Sequence, residues 1–580
     1  ALANVLGKVV DGEYQKFTVA TAAYIRERFQ EHDPKAAAIM NQLSDSQLKK
    51  IKRGGHDPSK VYAAYHAAVN NTDGPTVILA KTVKGYGLGE SGEGKNITHQ
   101  QKKMNEDELR EFRARFGIPI TDEQIGYAPF YKPEDDSPNM KYLHAKRKEL
   151  GGYLPERKVH AKPMKAPKES IFKSMYEGVD RPVSTTMALV QALRTLITDK
   201  EIGKYIVPIV PDEARTFGMD GLFKQVGIYS SRGQVYDPVD SHNVMYYREL
   251  KEGQLLEEGI TEAGSMSSFI AAGTAYATHG INTIPFFVYY SMFGMQRIGD
   301  LVWLAGDIRA KGFMVGGTAG RTTLNGEGLQ HQDGHSHLWA SAIPSVRCYD
   351  PSFAYEIAVI VREGIYRMYE LQEDHFYYLT VENENYVMPA MPKGKQVKDG
   401  IIKGMYKFKP SAKKGAKLHA QLLGSGAIMN EVLKAQGMLE KYGVAADVWS
   451  VTSYTELRRE ALDVERWNML HPASKPRDSY VTKCLGKTKG VVVAASDYMK
   501  ALPDGIDKWV PGGLTSLGTD GYGRSESRAA LRDHFEVDAR FVVLATLNSL
   551  SRKGKVKPEL VKKAMKDMKI RMNKANPYYM

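Results

Sequence analysis

Three stretches of this 580-residue chain carry side chains that move protons or grip anions. The run His331-Gln332-Asp333-Gly334-His335-Ser336-His337 packs three imidazoles and a carboxylate into seven residues. Such a run suggests a metal, but it lacks the i, i+4 histidine pairing of a helical zinc site, and no outlying cysteine or carboxylate ligand is identifiable. It follows GRTTLNGEGLQ, a Gly/Asn-rich stretch beyond a strand pattern. Loops at strand ends carry binding and catalytic groups in α/β folds. Histidine there suits contact with an anionic substrate or proton movement. A purely structural loop and a zinc site are the competing readings.

Glu262 lies in LLEEGITEAGSMSSFIAAG, at the mouth of a small-residue helix pattern. A partly desolvated carboxylate at that place suits general acid-base work. Taken alone, it reads more simply as an exposed first-turn glutamate stabilised by the helix dipole. Its downstream neighbours are Tyr289, Tyr290 and Phe293 in IPFFVYYSMFGMQRIGD, a strand pattern ending in aromatics. These rings are either core or a face for a flat heteroaromatic ring. Asp212 and Glu213 close another strand pattern just after Pro211. The loop Gly89-Glu90-Ser91-Gly92-Glu93-Gly94-Lys95-Asn96 nearly matches a phosphate-binding loop. Asn96 replaces the magnesium-holding hydroxyl, and Glu90 and Glu93 would put carboxylates where phosphates belong. A mobile Gly-rich surface loop is the plainer reading.

The elements that must position these groups alternate along the chain. Residues 14–70 read mostly helical, and TVILAKT (76–82) has the continuous apolar pattern of a buried parallel strand. The Pro- and charge-rich stretch 121–182 reads as a connector. Ser184 heads a capped helix pattern. Strands are expected at 205–210, 284–290, 312–317, 345–350 and 375–383, then at 420–428, 445–452 and 490–496, with helices between. Alternating strands and helices predict an α/β protein of successive parallel-sheet domains. Composition shifts place the domains at 1–165, 166–391 and 392–580.

The balance is that of a globular chain, with 42% hydrophobic and 25% charged residues. Two cysteines, Cys348 and Cys484, exclude a disulfide framework. No apolar run reaches the roughly 18 residues of a membrane helix, so a cytoplasmic protein without a membrane is expected. The charge of +13 admits an anionic partner. A nucleic-acid-binding protein is one reading of it, through the lysine-rich tail SRKGKVKPELVKKAMKDMKIRMNK. The aromatics are not interleaved with that basic run, as a stacking platform requires. The tail reads instead as an amphipathic helix with Leu560, Ala564, Met568 and Met572 on one side.

Taken together, PDEARTFGMDGLF, EEGITEAGS, PFFVYYSMFGMQRIGD, GGTAGRTTLNGEGLQHQDGHSH and DVWSVTSYTELRREA resemble the homodimeric bacterial pyruvate dehydrogenases, in the thiamine diphosphate-dependent transketolase superfamily. TVKGYGLGESGEGKNITHQQKKMN resembles the same family, and the likeness runs from about residue 10 to the end. The resemblance implies a transketolase-like, thiamine diphosphate-binding fold: the end of a diphosphate-binding domain, a pyrimidine-binding domain and a C-terminal domain. It implies oxidative decarboxylation of pyruvate and transfer of the two-carbon fragment to the lipoylated dihydrolipoamide acetyltransferase of a multienzyme complex. It implies that Glu262 hydrogen-bonds the aminopyrimidine of thiamine diphosphate, that Tyr290 and Phe293 pack on that ring, and that Ile260 holds the cofactor bent. His331 would face the substrate, and Asp212 and Glu213 would line the pocket. Lys84 and His99 would come from the first domain, His99 on a mobile loop. A homodimer is implied, as is Mg2+. The superfamily's Gly-Asp-Gly and Asn-rich magnesium motif is not found: Asn70-Asn71 lacks the upstream half, and Gly518-Thr519-Asp520-Gly521 lies in the wrong domain. No metal ligand is therefore expected in this chain; the motif is expected before residue 1. Sugar-phosphate transfer by a transketolase is the second enzyme reading, for which no phosphate-binding set is identifiable.

Overall fold

The computed structural model describes residues 1–51, 54–100, 103–153, 161–211, 214–239, 241–242 and 245–580, with nothing said of the Glu90 side chain. The chain divides into two units, Ala1–Pro155 and Glu156–Met580.

The first unit is helical. Its helices start where local chemistry satisfies their free N–H groups. Thr21 caps Ala22–His32, Asp33 followed by proline opens Pro34–Asn41, and Ser44 with Gln47 forms a capping box on Asp45–Lys50. Phe29, Ala36, Ala37, Met40 and Leu48 form its small core. The expected strand at 76–82 does not form. Val77 and Leu79 are 81% and 90% exposed. A parallel strand exists only through a neighbour's ladder bonds, and among the described residues this unit has no strand to supply them. Nor is the Gly-rich loop a loose surface loop. Glu93 is buried and ion-paired with Arg115, and its Oε2 also accepts from the Gly87 amide at 3.3 Å. The expected connector holds a helix of its own, Pro138–Glu149.

The second unit holds two large sheets, besides two sheets of two strands each. The first has six strands: β1 (Ile206–Val210), β2 (Leu256–Glu257), β3 (Ile284–Tyr290), β4 (Phe313–Gly317), β5 (Val346–Tyr349) and β6 (Phe376–Thr380). Their order is β2-β1-β3-β4-β6-β5, and every pairing is parallel. Such a sheet is covered on both faces, which is why β3 and β4 read as unbroken apolar runs. Helix α1 (Glu262–Gly273) leads from β2 towards β3, and α2 (Met295–Asp307) links β3 to β4. The second sheet contains β7 (Met405–Lys409), β8 (Leu418–Gly424), β9 (Val444–Val451), β10 (Val491–Ala495) and β11 (Leu514–Leu517) in the order β7-β9-β8-β10-β11. Only β7, at the edge, runs antiparallel. One apolar core runs continuously from Phe172 to Met568 through both sheets. No described helix is long and apolar enough to cross a membrane. The tail forms a helix, Pro558–Asp567, that buries Ala564 and Met568, but it ends before Met572, which is 79% exposed.

Candidate functional site

In an open parallel sheet the loops beyond the carboxyl ends of the strands form the natural binding crevice. Four of the expected groups meet there. Strand β3 ends at Tyr290, and a short 3-10 turn follows with Phe293. The loop after β4 runs to a second 3-10 turn that ends on His331. The three rings pack edge to face: Tyr290 and Phe293 centroids are 5.8 Å apart, and His331 lies 5.3 Å from Tyr290 and 5.0 Å from Phe293. Glu262 opens α1, where Thr261 accepts a bond from the Gly264 amide as its cap. Its carboxylate is 14% exposed and accepts from Arg297 Nη1 at 3.1 Å. The same guanidinium lies over the Phe293 ring, 4.1 Å from its centroid. Glu262, Arg297, Phe293, His331 and Tyr290 are thus one contiguous patch.

Sequence reasoning passed over Arg297 and Phe217. Arg297 sits four residues after Phe293, the helical spacing that brings a cation over a ring. Phe217 packs on Tyr290 with centroids 5.4 Å apart. Room for it exists because β4 ends in glycine: a Cβ on Gly317 would meet the Phe217 ring at 2.5 Å.

The other expected residues are placed differently. Ile260, in the turn before α1, is 74% exposed. Lys84 and His99 are exposed in the first unit, His99 on the 3-10 turn Asn96–Gln100. Asp212 and Glu213 lie outside the described residues.

The three histidines of the 331–337 run separate. His331 Nδ1 is buried without a hydrogen-bond partner among the described residues, beside the aromatic patch. His335 packs on Trp339, 4.7 Å between centroids. His337 turns into the core, its Nε2 2.8 Å from Thr380 Oγ1, and burial pushes it down to about 4 against the pull of Asp333. Asp333 is consumed by the amides of His335 and Ser336 (2.9 and 3.0 Å) and the Ser336 hydroxyl (2.5 Å). Asp333 and His337 are thus spent on the protein itself, while His331 turns away from them to the aromatic patch.

Asp350, just beyond β5, sits in the same buried layer. It accepts from Thr380 Oγ1 at 2.7 Å, and its Oδ2 has no partner among the described residues. Burial pushes its carboxyl up to about 7, against the hydrogen bond from Thr380; the charges of Asp497 and Glu356 push the same way as burial. An unfolded aspartate titrates near about 3.9. Between those values the folded state holds a proton that the unfolded chain has released, so stability falls as pH rises through the window. Asp350→Asn is expected to flatten the fall in urea midpoint between pH 5 and pH 7.5. An unchanged slope would remove Asp350 as its source.

Comparison with known proteins adds the family context. Residues 168–389 match the pyruvate dehydrogenase E1 component middle domain, and residues 404–538 the transketolase-like C-terminal domain. The chain is 56% identical over 575 residues to the pyruvate dehydrogenase E1 component of Pseudomonas aeruginosa, covering 99% of this chain and 65% of that protein. It is 48% identical over 580 residues to that of Escherichia coli (strain K12), covering 99% of this chain and 65% of that protein. Among solved structures it resembles the transketolase of Leishmania mexicana, with a TM-score of 0.60 at 16% identity over 87% of this chain and 66% of that one, a likeness of fold alone.

Proposed function

We propose a function from the premise that this chain belongs, over nearly its whole length, to the pyruvate dehydrogenase E1 component family, of whose curated members it spans about two thirds, 65% of the first. The proposed function is thiamine diphosphate-dependent decarboxylation of pyruvate, with transfer of the two-carbon fragment to a lipoyl group of an acyltransferase partner. The observation that carries it is the patch at the ends of β3 and β4: a part-buried carboxylate, aromatic rings packed edge to face, and an imidazole nitrogen without a partner among the described residues.

The patch fits the aminopyrimidine half of thiamine diphosphate. A flat ring with a basic nitrogen needs an aromatic wall and a carboxyl, and both are present. The diphosphate and Mg2+ half has no such support here: among the described residues no group of three or more histidine, cysteine, aspartate or glutamate side chains is arranged to hold a metal. No step is therefore assigned to the metal. Thiamine diphosphate, when bound, supplies the electron sink for the carbon from which carbon dioxide departs.

The chain's own residues do the rest. The Glu262 carboxyl would exchange a proton with a nitrogen of the ring. Arg297 orients the carboxylate. Tyr290 and Phe293 hold the ring plane, and Phe217 backs Tyr290. Ile260, in the turn before α1, would help to hold the cofactor. His331 presents a ring N–H to the substrate carboxylate or to the oxyanion that develops on its carbonyl, and delivers a proton to the lipoyl sulfur. Lys84, His99, Asp212 and Glu213 belong to the proposal on the family resemblance alone. A cytoplasmic homodimer is part of the proposal.

The test is a paired assay of the full-length subunit with thiamine diphosphate and Mg2+. Carbon dioxide release from pyruvate, with acetylation of a lipoyl domain, is the expected result. Two-carbon transfer between sugar phosphates in its place would overturn the reading.

A further inference from the structure

Many bonds run between the loop that carries His331 and the segment 497–532 of the second sheet's domain. Asp497, two residues after β10, is fully buried. Its carboxylate accepts four hydrogen bonds, all from two consecutive loop residues: the Thr322 amide at 2.8 Å and hydroxyl at 2.7 Å, and the Thr323 amide at 3.0 Å and hydroxyl at 2.6 Å. The loop passes so close that a Cβ on Gly320, whose φ is +87°, would meet Asp497 Oδ2 at 2.4 Å. The far side of the loop is held from the same segment. The Arg524 amide donates to Gln332 Oε1 at 2.7 Å, and the Ser525 hydroxyl to the Glu327 carbonyl at 2.8 Å. His331 sits between these two anchors.

We infer that Asp497 is a positioning residue: it sets the loop so that His331 stands against Tyr290 and Phe293, and its effect on turnover passes through His331. A carboxylate with four accepted bonds is spent wholly on the loop, and a buried acceptor matched to four donors holds geometry more narrowly than apolar contact does. The inference rests on the function proposed above for His331, while the clamp itself is testable without it.

Asp497→Asn keeps the size of the side chain but leaves one acceptor oxygen for four donors. In the full-length holoenzyme it is expected to lower kcat at least about 10-fold with KM for pyruvate within about 3-fold, since a 1 Å misplacement of a catalytic group costs on the order of 100-fold. Thr323→Val, which leaves Asp497 in place, is expected to give a smaller loss of the same kind. Hydrogen exchange is expected to speed up in peptides covering 322–333 and to stay unchanged in β3. On a His331→Ala background Asp497→Asn is expected to cost less than about 2-fold, because residues acting through one another are not additive. Equal losses in both backgrounds would overturn the inference. So would unchanged exchange in 322–333 for both variants. A His331→Ala subunit with full turnover would sink the role given to His331, and the exchange experiment would still decide the clamp.

Discussion

Glu262→Ala in the full-length subunit is expected to lower pyruvate decarboxylation at least about 100-fold, since proton transfer by a positioned side chain is worth roughly 100- to 10,000-fold. The substitution removes the carboxylate that pairs with Arg297 at the edge of the aromatic patch, its side chain 14% exposed at the first residue of α1. The structural cost is small. Its partner Arg297 is half exposed, and such pairs contribute about 0–1 kcal/mol. The Thr261 cap on the Gly264 amide is left in place. Circular dichroism and thermal midpoint should therefore barely move while turnover collapses. Glu262→Gln separates two roles. The amide accepts and donates hydrogen bonds but neither takes up nor releases a proton near neutral pH, so a Gln variant as slow as Ala assigns the loss to proton transfer. A Gln variant near the parent rate would leave Glu262 only an orienting role, and an unimpaired Ala variant would remove it from the mechanism.

Arg532→Ala is expected to have the largest effect on stability. Arg532 is 4% exposed and lies between Glu384 of the first sheet's domain and Glu431 of the second. It also donates to the Thr322 and Thr323 hydroxyls at 3.4 and 3.3 Å. Burial alone would disfavour its charge, but the Glu384 carboxylate and its neighbours outweigh that and hold the guanidinium protonated. Removing it strands the Glu384 carboxylate, whereas Glu431 keeps Lys434 at 2.7 Å and the Ala539 amide at 3.0 Å. Breaking one side of such a buried set costs about 3–5 kcal/mol, largely as the penalty of the unpaired charges. The urea midpoint should fall accordingly. Adding Glu384→Gln should return most of the loss, because the stranded charge goes with it. A loss below about 1 kcal/mol would show that the ion set is not what joins the two domains here.

The strands of the second unit were legible because a parallel sheet buried on both faces requires unbroken apolar runs, and IPFFVYY and FMVGG are such runs. The same rule misled at 76–82. An apolar run of strand length is necessary for a buried strand but says nothing about whether neighbouring strands stand beside it. Residue type and place singled out His331 in its loop but left Glu262 readable as a first-turn helix glutamate and Tyr290 and Phe293 as core; the family resemblance chose between the readings. Arg297 was recognisable only in part, from its helical spacing to Phe293.

What the sequence by itself determined is local: which segments repeat at the period of a helix or strand, where caps and turns fall, and which chemically able side chains stand at strand ends. The tertiary structure decided which of them meet. His331 and His337 are six residues apart, yet one faces the aromatic patch and the other is locked on Thr380. Asp497 reaches Thr322 across 175 positions, and Arg532 reaches Glu384 across 148. Contacts at such separations are selected by how two sheets pack and by the need to satisfy every buried polar group, and no periodicity within one segment encodes them.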